Sequence, residues 1–414
     1  MQSTPDRQPI TRVQWLVLAA AFLGWLFDGF EMGLFPLIAR PALQDLLAGT
    51  DEGQVSAWTG YVTASFLCGA ASGGLVFGWL GDRLGRVRAM SLSILCYSLL
   101  TGLGYFAGAP WQLAVLRFLA ALGMGGEWAL GVALVMEVWP ERARVWLAGA
   151  IAAAANVGFL VVALVALPFE ITPQHWRHML VLGVVPALLV VFIIWCVPES
   201  QRWRDAVAAG PSRPLREIFA PGQRRLTLLA IAFTSVALIG TWACVEWLPL
   251  WTDQLVGPSR PGEKAFVYVL RSIGAIVGCL AAPLVGQRLG RRPAYFLLCA
   301  AALLTTNVLF RAVHEYGLLF QVLAFLVGAA ATSFYGWFAL YLPELFATRV
   351  RATGQGLSYN AGRVIAAAGS LAMAQLVGFF GSYPQASATI SLVYVVGMVL
   401  IWFAPETKGK PLPQ

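Results

Sequence analysis

The feature that most constrains this chain is a succession of predominantly apolar runs, each close to the length of a membrane span. A membrane-spanning helix needs about 20 consecutive apolar residues, whereas a barrel strand needs about ten that alternate. The runs lie at 14–38, 57–80, 87–107, 111–138, 145–168, 176–197, 227–250, 265–286, 293–311, 317–341, 352–380 and 386–404. The sequence therefore predicts an all-α membrane protein with twelve transmembrane helices.

Composition and charge distribution support this prediction. The chain is 59% hydrophobic and 12% charged, whereas a soluble domain is about 25% charged. The net charge of +8 does not require a nucleic acid, because the basic residues concentrate in the loops on one side. With the N-terminus inside, the outer loops hold only Arg40, Arg177, Arg260, Lys264 and Arg311. The positive-inside rule then places both termini in the cytoplasm, and the abundance of arginine and tryptophan favours a bacterial inner membrane.

One charged, glycine-containing turn occurs twice. Residues 81–90 read GDRLGRVRAM, and about 205 positions later residues 286–295 read GQRLGRRPAY. The motif PES at 198–200 is likewise repeated as PET at 405–407. We therefore expect two six-helix halves, at 1–197 and 227–414, joined by a cytoplasmic linker at 198–226. Parallel halves of this kind place a substrate site between them near the middle of the membrane.

These motifs resemble those of the major facilitator superfamily over the whole chain. GDRLGRVRAM is similar to the superfamily's signature between helices two and three, and PESQRW and PETKGKPL resemble motifs of its sugar-porter branches. FDGFEMG (27–33) and the stretch 117–144 resemble the sialate and monocarboxylate proton symporters. Residues 343–363 fit that group and the neighbouring aromatic-acid symporters. One departure is Gln287, which stands where the first half has Asp82, so a gating pair made by Asp82 is not expected to be duplicated.

Charged residues inside spans are costly and indicate function. At ~1.5 Å per helical residue, Asp28 lies ~21 Å from the inner end of the first helix and Arg117 ~9 Å from the outer end of the fourth. These depths agree in a layer roughly 30 Å thick, so the two residues can meet. Glu31 shares a helix face with Asp28. We expect proton coupling at Asp28, Glu31, Arg117 and Glu127. The resemblance to sugar porters also implies this role for an acid on the first helix that faces an arginine on the fourth. The alternative is a structural ion pair.

The substrate is predicted to bind at Arg363, Asn360, Arg271 and Asn156. Arg363 falls near the middle of the eleventh helix, where its guanidinium can hold a carboxylate through two parallel hydrogen bonds. Asn360 lies one turn away. The alternatives are a salt bridge between Arg363 and Glu127, and a pairing of Arg271 with Glu246.

Gating is predicted for the charged residues at the inner helix ends. Asp82 is expected to close the inner side by approaching the positive N-terminal end of the eleventh helix. The other members of this set are Arg83, Arg86, Glu137 and Arg144, and simple solvation is the alternative for each arginine. No enzyme motif, metal site or bound cofactor is expected, and the proton is the coupling ion.

The sequence thus predicts a secondary transporter that moves a small organic anion with a proton by alternating access. A monocarboxylate or a sugar acid such as sialic acid is the expected substrate, and the protein is expected to act as a monomer in the lipid bilayer. The nearest alternative is a sugar or polyol porter, in which Arg363 is structural. An exporter of cationic drugs is disfavoured by the buried arginines. A non-transporting solute sensor is disfavoured by the short termini and linker.

Overall fold

The computed structural model describes residues 10–48, 52–166, 171–210, 213–245, 248–256 and 261–413. Within these ranges the chain is helical with short connections and contains no strand. Ten of the described helices are long and apolar enough to cross a membrane. The other two expected spans are α15, defined below, and the span predicted at 227–250, of which residues 246–247 lie outside the described ranges. The predicted all-α membrane fold is confirmed.

The first half contains six spans, the last of which consists of two short helices. The helices are α1 (Arg12–Leu46), α2 (Glu52–Leu84), α3 (Arg86–Leu103), α4 (Pro110–Val138), α5 (Arg144–Ala166), α6 (Trp176–Leu182) and α7 (Ala187–Cys196). The α1 helix begins with a capping box, in which the side chains of Thr11 and Gln14 each bond the backbone N–H of the other residue. This box satisfies two N–H groups that the helix itself leaves without an acceptor.

Two short helices follow, and then the second half repeats the plan. The linker carries α8 (Gln201–Ala208) and α9 (Pro214–Ile218). The second half contains α10 (Arg224–Gly240), α11 (Leu248–Val256), α12 (Pro261–Leu289), α13 (Arg291–Ala312), α14 (Leu318–Tyr341), α15 (Arg351–Phe380), α16 (Tyr383–Ile390) and α17 (Val393–Leu400). A π-helical turn at Thr241–Val245 continues α10. Such π-helical turns are frequent at functional sites.

The two halves meet along helices whose contact surfaces carry small residues. On α15, a Cβ atom added to Gly356 would lie 2.1 Å from the carbonyl oxygen of Gly74 on α2. On α5, a Cβ atom added to Gly149 would lie 3.0 Å from the Cα atom of Leu280 on α12. Small residues let helix backbones approach this closely inside a membrane. These contacts bring α1, α5, α12 and α15 around a shared central space.

One end of the bundle gathers the short helices and both described chain ends. We call this end the linker face, and it comprises residues 81–86, 137–144, 199–210, 213–218, 343–353 and 405–413. Gln14 near the start of α1 donates through its side chain to the carbonyl oxygen of Val138, and Arg351 at the start of α15 donates to the carbonyl oxygen of Pro413. The distribution of arginine predicts that this face is cytoplasmic.

Candidate functional site

A narrow cavity of about 50 Å³ lies between the two halves. Since a water molecule needs about 10–15 Å³ of such space, the cavity holds a few waters in this conformation. Its wall combines two arginines with aromatic and small polar side chains. The lining residues are Trp25, Met32, Ala152, Ala155, Asn156, Phe159, Thr241, Trp242, Val245, Arg271, Ala275, Thr332, Tyr335, Tyr359 and Arg363. Three of the four predicted substrate residues, Arg363, Arg271 and Asn156, therefore share one cavity.

Arg363 is the buried cation of this wall. Its side chain comes from the middle of α15, and the residue is 4% exposed. The guanidinium carbon lies 5.4 Å from the ring centroid of Tyr359, one helical turn earlier. Arg363 makes no hydrogen bond or ion pair with the described residues, and its Nε atom is buried. The alternative of a salt bridge with Glu127 is not formed, because both carboxylate oxygens of Glu127 are also without a partner there.

Arg271 approaches the cavity from α12. It is 6% exposed, and its guanidinium carbon lies 4.8 Å from the ring centroid of Tyr268. The alternative partner from the sequence, Glu246, lies outside the described residues. Asn156 on α5 is 8% exposed and belongs to the same wall. The wall therefore offers two guanidinium groups and one amide, which are suited to binding a carboxylate.

Asn360, the fourth predicted substrate residue, has a different environment. Its amide nitrogen donates to the carbonyl oxygens of Gly125 on α4 at 2.8 Å and of Gly356 at 2.9 Å. It does not line the cavity. Asn360 therefore joins α15 to α4 and connects the two halves. Spacing along the helix placed it near Arg363 but could not show which neighbouring helix it meets.

An aromatic cluster lies against Arg363 and was not predicted as a unit. The rings of Trp128 and Tyr359 are stacked, with centroids 4.1 Å apart and planes 15° apart. Trp25 meets Tyr359 edge-on with centroids 6.4 Å apart, and Tyr335 does so at 6.0 Å. Trp25 and Trp128 belong to the first half, whereas Tyr335 and Tyr359 belong to the second. Three of these rings, those of Trp25, Tyr335 and Tyr359, line the cavity and give it an aromatic wall beside a cation.

The sequence predicted that Arg117 meets Asp28, with Glu31 on the same helix face, and the structure corrects which acid is the partner. Arg117 on α4 donates through Nη1 to Glu31 on α1, not to Asp28. Glu31 also accepts from the hydroxyl of Thr101 at 2.6 Å, and the guanidinium carbon of Arg117 lies 5.0 Å from the ring centroid of Phe66. Both charged residues are buried. Because Asp28 and Glu31 are three residues apart on one helix face, their spacing could not decide which carboxylate the arginine meets.

Asp28 and Glu127 form a separate buried acidic pair. Each is 1% exposed, and Oδ1 of Asp28 has no hydrogen-bond partner among the described residues. Glu127, Arg363 and Glu31 are charged neighbours of Asp28. Tyr97 from α3 faces the same group of acids. Asp28 lies on the face of α1 that carries Trp25 and Met32, both of which line the cavity.

The linker face is closed by a buried network of charges. Asp82 accepts from the backbone N–H groups of Ala352 at 3.2 Å and Thr353 at 2.8 Å. It also accepts from Arg86 at 2.8 Å. Ala352 and Thr353 belong to the first turn of α15, where a negative charge is favoured by the exposed N–H groups of a helix start. The predicted approach of Asp82 to this helix start is found in the structure.

Glu137 connects two arginines across the same interface. Its Oε1 atom accepts from Arg86 at 3.0 Å and from Arg351 at 3.0 Å, and Arg86 also donates to the carbonyl oxygen of Thr348 at 2.6 Å. Arg351 was not predicted as a network member. In the sequence, Arg351 is one of several arginines in a basic segment, and no local feature indicates that its side chain is buried.

Two of the predicted gating arginines lie outside this network. Arg144 pairs with the exposed carboxylate of Glu141 at 2.9 Å and not with Glu137. Arg83 is exposed, and its guanidinium carbon lies 4.7 Å from the ring centroid of Trp79. For Arg83 the solvated alternative therefore describes the structure.

A carboxylate from the repeated PES and PET motifs caps the helix after each charged turn. Glu199 accepts from the backbone N–H groups of Arg86 and Val87 at 2.9 and 3.1 Å. Glu406 accepts from those of Arg291 and Arg292 at 2.9 and 3.1 Å. Burial raises the pKa of Glu406, but these N–H groups and that of Lys408 outweigh it and hold the pKa below its usual value.

Each capped helix is preceded by a glycine that the turn requires. Gly85 has a φ of 104° and Gly290 a φ of 101°, and residues other than glycine rarely adopt such positive φ angles. The second half has no counterpart of Asp82: Arg291 instead pairs with Glu344 at 2.7 Å within its own half. The bond from Asp82 to the partner half is therefore not repeated, as the substitution by Gln287 suggested.

The arrangement lacks the features of a metal site. Within the described ranges, no group of three or more histidine, cysteine, aspartate or glutamate side chains is placed to hold a metal ion.

Comparison with known proteins identifies the family. Residues 16–209 and 294–414 match the family described as sugar (and other) transporter. The chain belongs to this family. A probable 4-methylmuconolactone transporter of Cupriavidus pinatubonensis is 31% identical over 94% of this chain and 90% of the relative. A cis,cis-muconate transport protein of Acinetobacter baylyi is 30% identical over 96% and 94%. A sialic acid transporter of Escherichia coli is 26% identical over 93% and 91%.

Comparison with solved structures supports the fold assignment. The structure of the proton:xylose symporter XylE, a major facilitator superfamily protein, is similar with a TM-score of 0.78. The alignment covers 97% of this chain and 98% of XylE, at 18% identity. At that identity the likeness shows the fold alone. The predicted major facilitator fold is confirmed, and the chain is a multi-pass membrane transporter of the sugar (and other) transporter family and not an enzyme.

Proposed function

We propose that the protein carries a small, planar organic anion across the membrane together with a proton. The observation that carries this proposal is Arg363, a buried guanidinium in the cavity wall that has no anionic partner among the described residues. A buried charge is costly unless it is paired. A carboxylate bound in the cavity completes this pairing through two parallel hydrogen bonds.

The aromatic surface and the small volume narrow the class of anion. Tyr359 and Trp25 present ring faces and edges beside the guanidinium, which favours a flat, conjugated acid over a flexible one. The cavity of about 50 Å³ does not accommodate a nine-carbon sugar acid unless its walls move. Aromatic monocarboxylates and unsaturated ring-cleavage acids therefore fit better than sialic acid. The names of the muconate and methylmuconolactone relatives agree with this class.

Asp28 is the group that carries the proton in this proposal. It is buried beside the cavity, it has no cation bonded to it among the described residues, and Arg363 is a neighbouring charge. When a substrate carboxylate takes the guanidinium, it removes the positive charge that stabilises an ionised Asp28. Substrate binding thereby favours uptake of a proton by Asp28. A monocarboxylate and one proton move together without net charge.

In this proposal, alternating access requires the contacts between the two halves at the linker face to form and break in turn. The network of Asp82, Arg86, Glu137 and Arg351 closes the linker face in the conformation described here. Opening that face requires these bonds to break, so that the cavity opens toward the linker face while the opposite side closes. We place this face in the cytoplasm of a bacterial inner membrane, because the arginine distribution favours it, and we take the monomer as the working unit.

The test is uptake by the full chain reconstituted in liposomes. Labelled benzoate, cis,cis-muconate, lactate, sialic acid and glucose are offered with and without a proton gradient. We expect uptake of the planar acids that increases with the gradient. Asp28→Asn is expected to abolish gradient-driven uptake while exchange of external for internal substrate continues. Uptake of glucose alone, indifferent to pH, would instead establish the sugar or polyol porter, the alternative suggested by the family description.

A further inference from the structure

A second recess lies on the outer surface of the first half, away from the cavity. This groove has a volume of about 850 Å³ and lies where the linker-face ends of α3 and α7 meet α8. Among its lining residues are Arg88, Leu92, Leu95, Ile194, Trp203 and Arg204. No residue of the groove lines the central cavity, so the groove is separate from the proposed substrate site.

The open side of the groove is apolar and continues along the outside of the bundle. Leu92 is 46% exposed and Ile194 is 61% exposed. Farther from the linker face, Leu99 on α3 and Leu188 on α7 are 51% and 72% exposed. In a membrane protein these side chains face lipid tails. An acyl chain that enters the groove therefore continues along an apolar track between the two helices.

The end of the groove at the linker face is positively charged. Arg88 and Arg204 are exposed, and neither side chain makes an ion pair or hydrogen bond with the described residues. The acid that lines the groove, Glu199, already accepts two backbone N–H groups at the start of α3. Two guanidinium groups without a partner among the described residues thus border the groove near the linker-face ends of the spans.

We propose that this groove binds an anionic phospholipid of the leaflet at the linker face. Its headgroup phosphate lies between Arg88 and Arg204, because each guanidinium group can donate two hydrogen bonds to the oxygens of a phosphate. One acyl chain runs over Leu92 and Ile194. Basic recesses between spanning helices on the cytoplasmic side are suited to such lipids. A peptide or a second copy of the chain fits less well, because the apolar side opens toward the bilayer.

The bound lipid also contacts the elements that close the linker face. Trp203, which lines the groove, donates its indole N–H to the carbonyl oxygen of Asp82 at 3.0 Å. Glu199 caps α3 at Arg86, and both Asp82 and Arg86 belong to the closed network. An occupied groove holds α8 against α2 and α3. We therefore expect the anionic lipid to stabilise the conformation with the linker face closed.

The test measures lipid binding by the purified full chain in detergent. Native mass spectrometry counts the bound phosphatidylglycerol or phosphatidylcholine molecules, and thermal unfolding is followed with each lipid. We expect the wild-type protein to retain phosphatidylglycerol and to unfold at a higher temperature with it than with phosphatidylcholine. The double variant Arg88→Gln/Arg204→Gln should bind it about 30-fold more weakly, since each basic residue near the membrane surface contributes about 1 kcal/mol.

Matched variants keep the result interpretable. Arg213→Gln/Arg224→Gln removes the same charge from exposed positions outside the groove and should bind the lipid as the wild type does. Leu92→Glu adds a negative charge inside the groove and should weaken binding without removing an arginine. The proposal is overturned if both lipids bind equally, or if the groove variants retain phosphatidylglycerol as tightly as the wild type. Equal stabilisation by free glycerophosphate would also overturn it.

Discussion

Replacing Asp82 by asparagine should open the linker face more often. Asp82 makes two bonds to the other half, to the N–H groups of Ala352 and Thr353. Its bond to Arg86 lies within one half and does not depend on closure. Asparagine keeps one acceptor oxygen, but it loses the charge and presents an NH₂ group to a backbone donor. A hydrogen bond to a charged group contributes about 1.5–3 kcal/mol, and a charge at a helix start up to about 2 kcal/mol.

The expected effect on the closed conformation is therefore about 2–4 kcal/mol. Since about 1.4 kcal/mol changes an equilibrium constant tenfold, the ratio of closed to open molecules should fall roughly 30- to 700-fold. When the open form is rare, its population, and hence the rate of any reaction that requires it, rises by the same factor.

Cys279 provides a native probe for this opening. It belongs to α12, is 0% exposed and packs against Ala152 and Ala153 of α5, at the contact between the halves. With the other five cysteines replaced by serine, a small membrane-impermeant thiol reagent should label Cys279 much faster in Asp82→Asn than in the parent. Gln287→Asn at the equivalent, exposed position of the second half is the matched control. Labelling rates that are equal in both variants would refute the role of Asp82 in closure.

Three further predictions concern the ion pair, the helix cap and the aromatic cluster. Glu31→Gln leaves Arg117 buried without its carboxylate and should destabilise the protein by about 3–5 kcal/mol, measured as a lower unfolding temperature; unchanged stability would contradict the pairing. Because the pKa of Glu406 lies below its usual value of 4.5, its carboxylate stabilises the fold above that pH. The difference in unfolding temperature between the wild type and Glu406→Gln should thus shrink as the pH falls below 4.5, and a pH-independent difference would argue against the cap. Tyr359→Leu should weaken binding of a planar acid about 2- to 12-fold, since ring contacts contribute about 0.5–1.5 kcal/mol beyond buried area, and should affect a non-planar acid such as lactate less.

Much of the architecture follows from short-range sequence features. The apolar runs identify the spans, because a helix that crosses lipid must satisfy its own backbone and present apolar side chains. The duplicated turn identifies the two halves. The position of Asp82 at an inner helix end was enough to predict its approach to the start of α15, because the helix dipole favours a negative charge there.

Pairings between helices were less predictable. Depth along a helix can be estimated from the rise per residue, but the choice between Asp28 and Glu31 depends on helix rotation, which the sequence does not define. Asn360 shares a face with Arg363, yet it bonds a carbonyl oxygen of α4 instead of lining the cavity. Arg351 belongs to a basic segment of the sequence, and only its bond to Glu137, which is distant in the chain, distinguishes it from the other arginines there. Each of these cases depends on contacts between residues that are distant in the chain.

The most direct test of the central claim is the affinity of the purified protein for benzoate, with and without Arg363. Binding can be followed through tryptophan fluorescence, because Trp25 and Trp242 line the cavity. If Arg363 binds the carboxylate, Arg363→Gln should weaken binding by at least about 10- to 100-fold, since a hydrogen bond to a charged group contributes about 1.5–3 kcal/mol. Arg363→Lys should lose less, and the exposed Arg216→Gln should bind as the wild type does. Unchanged benzoate affinity in Arg363→Gln would contradict the claim that this guanidinium binds the substrate anion.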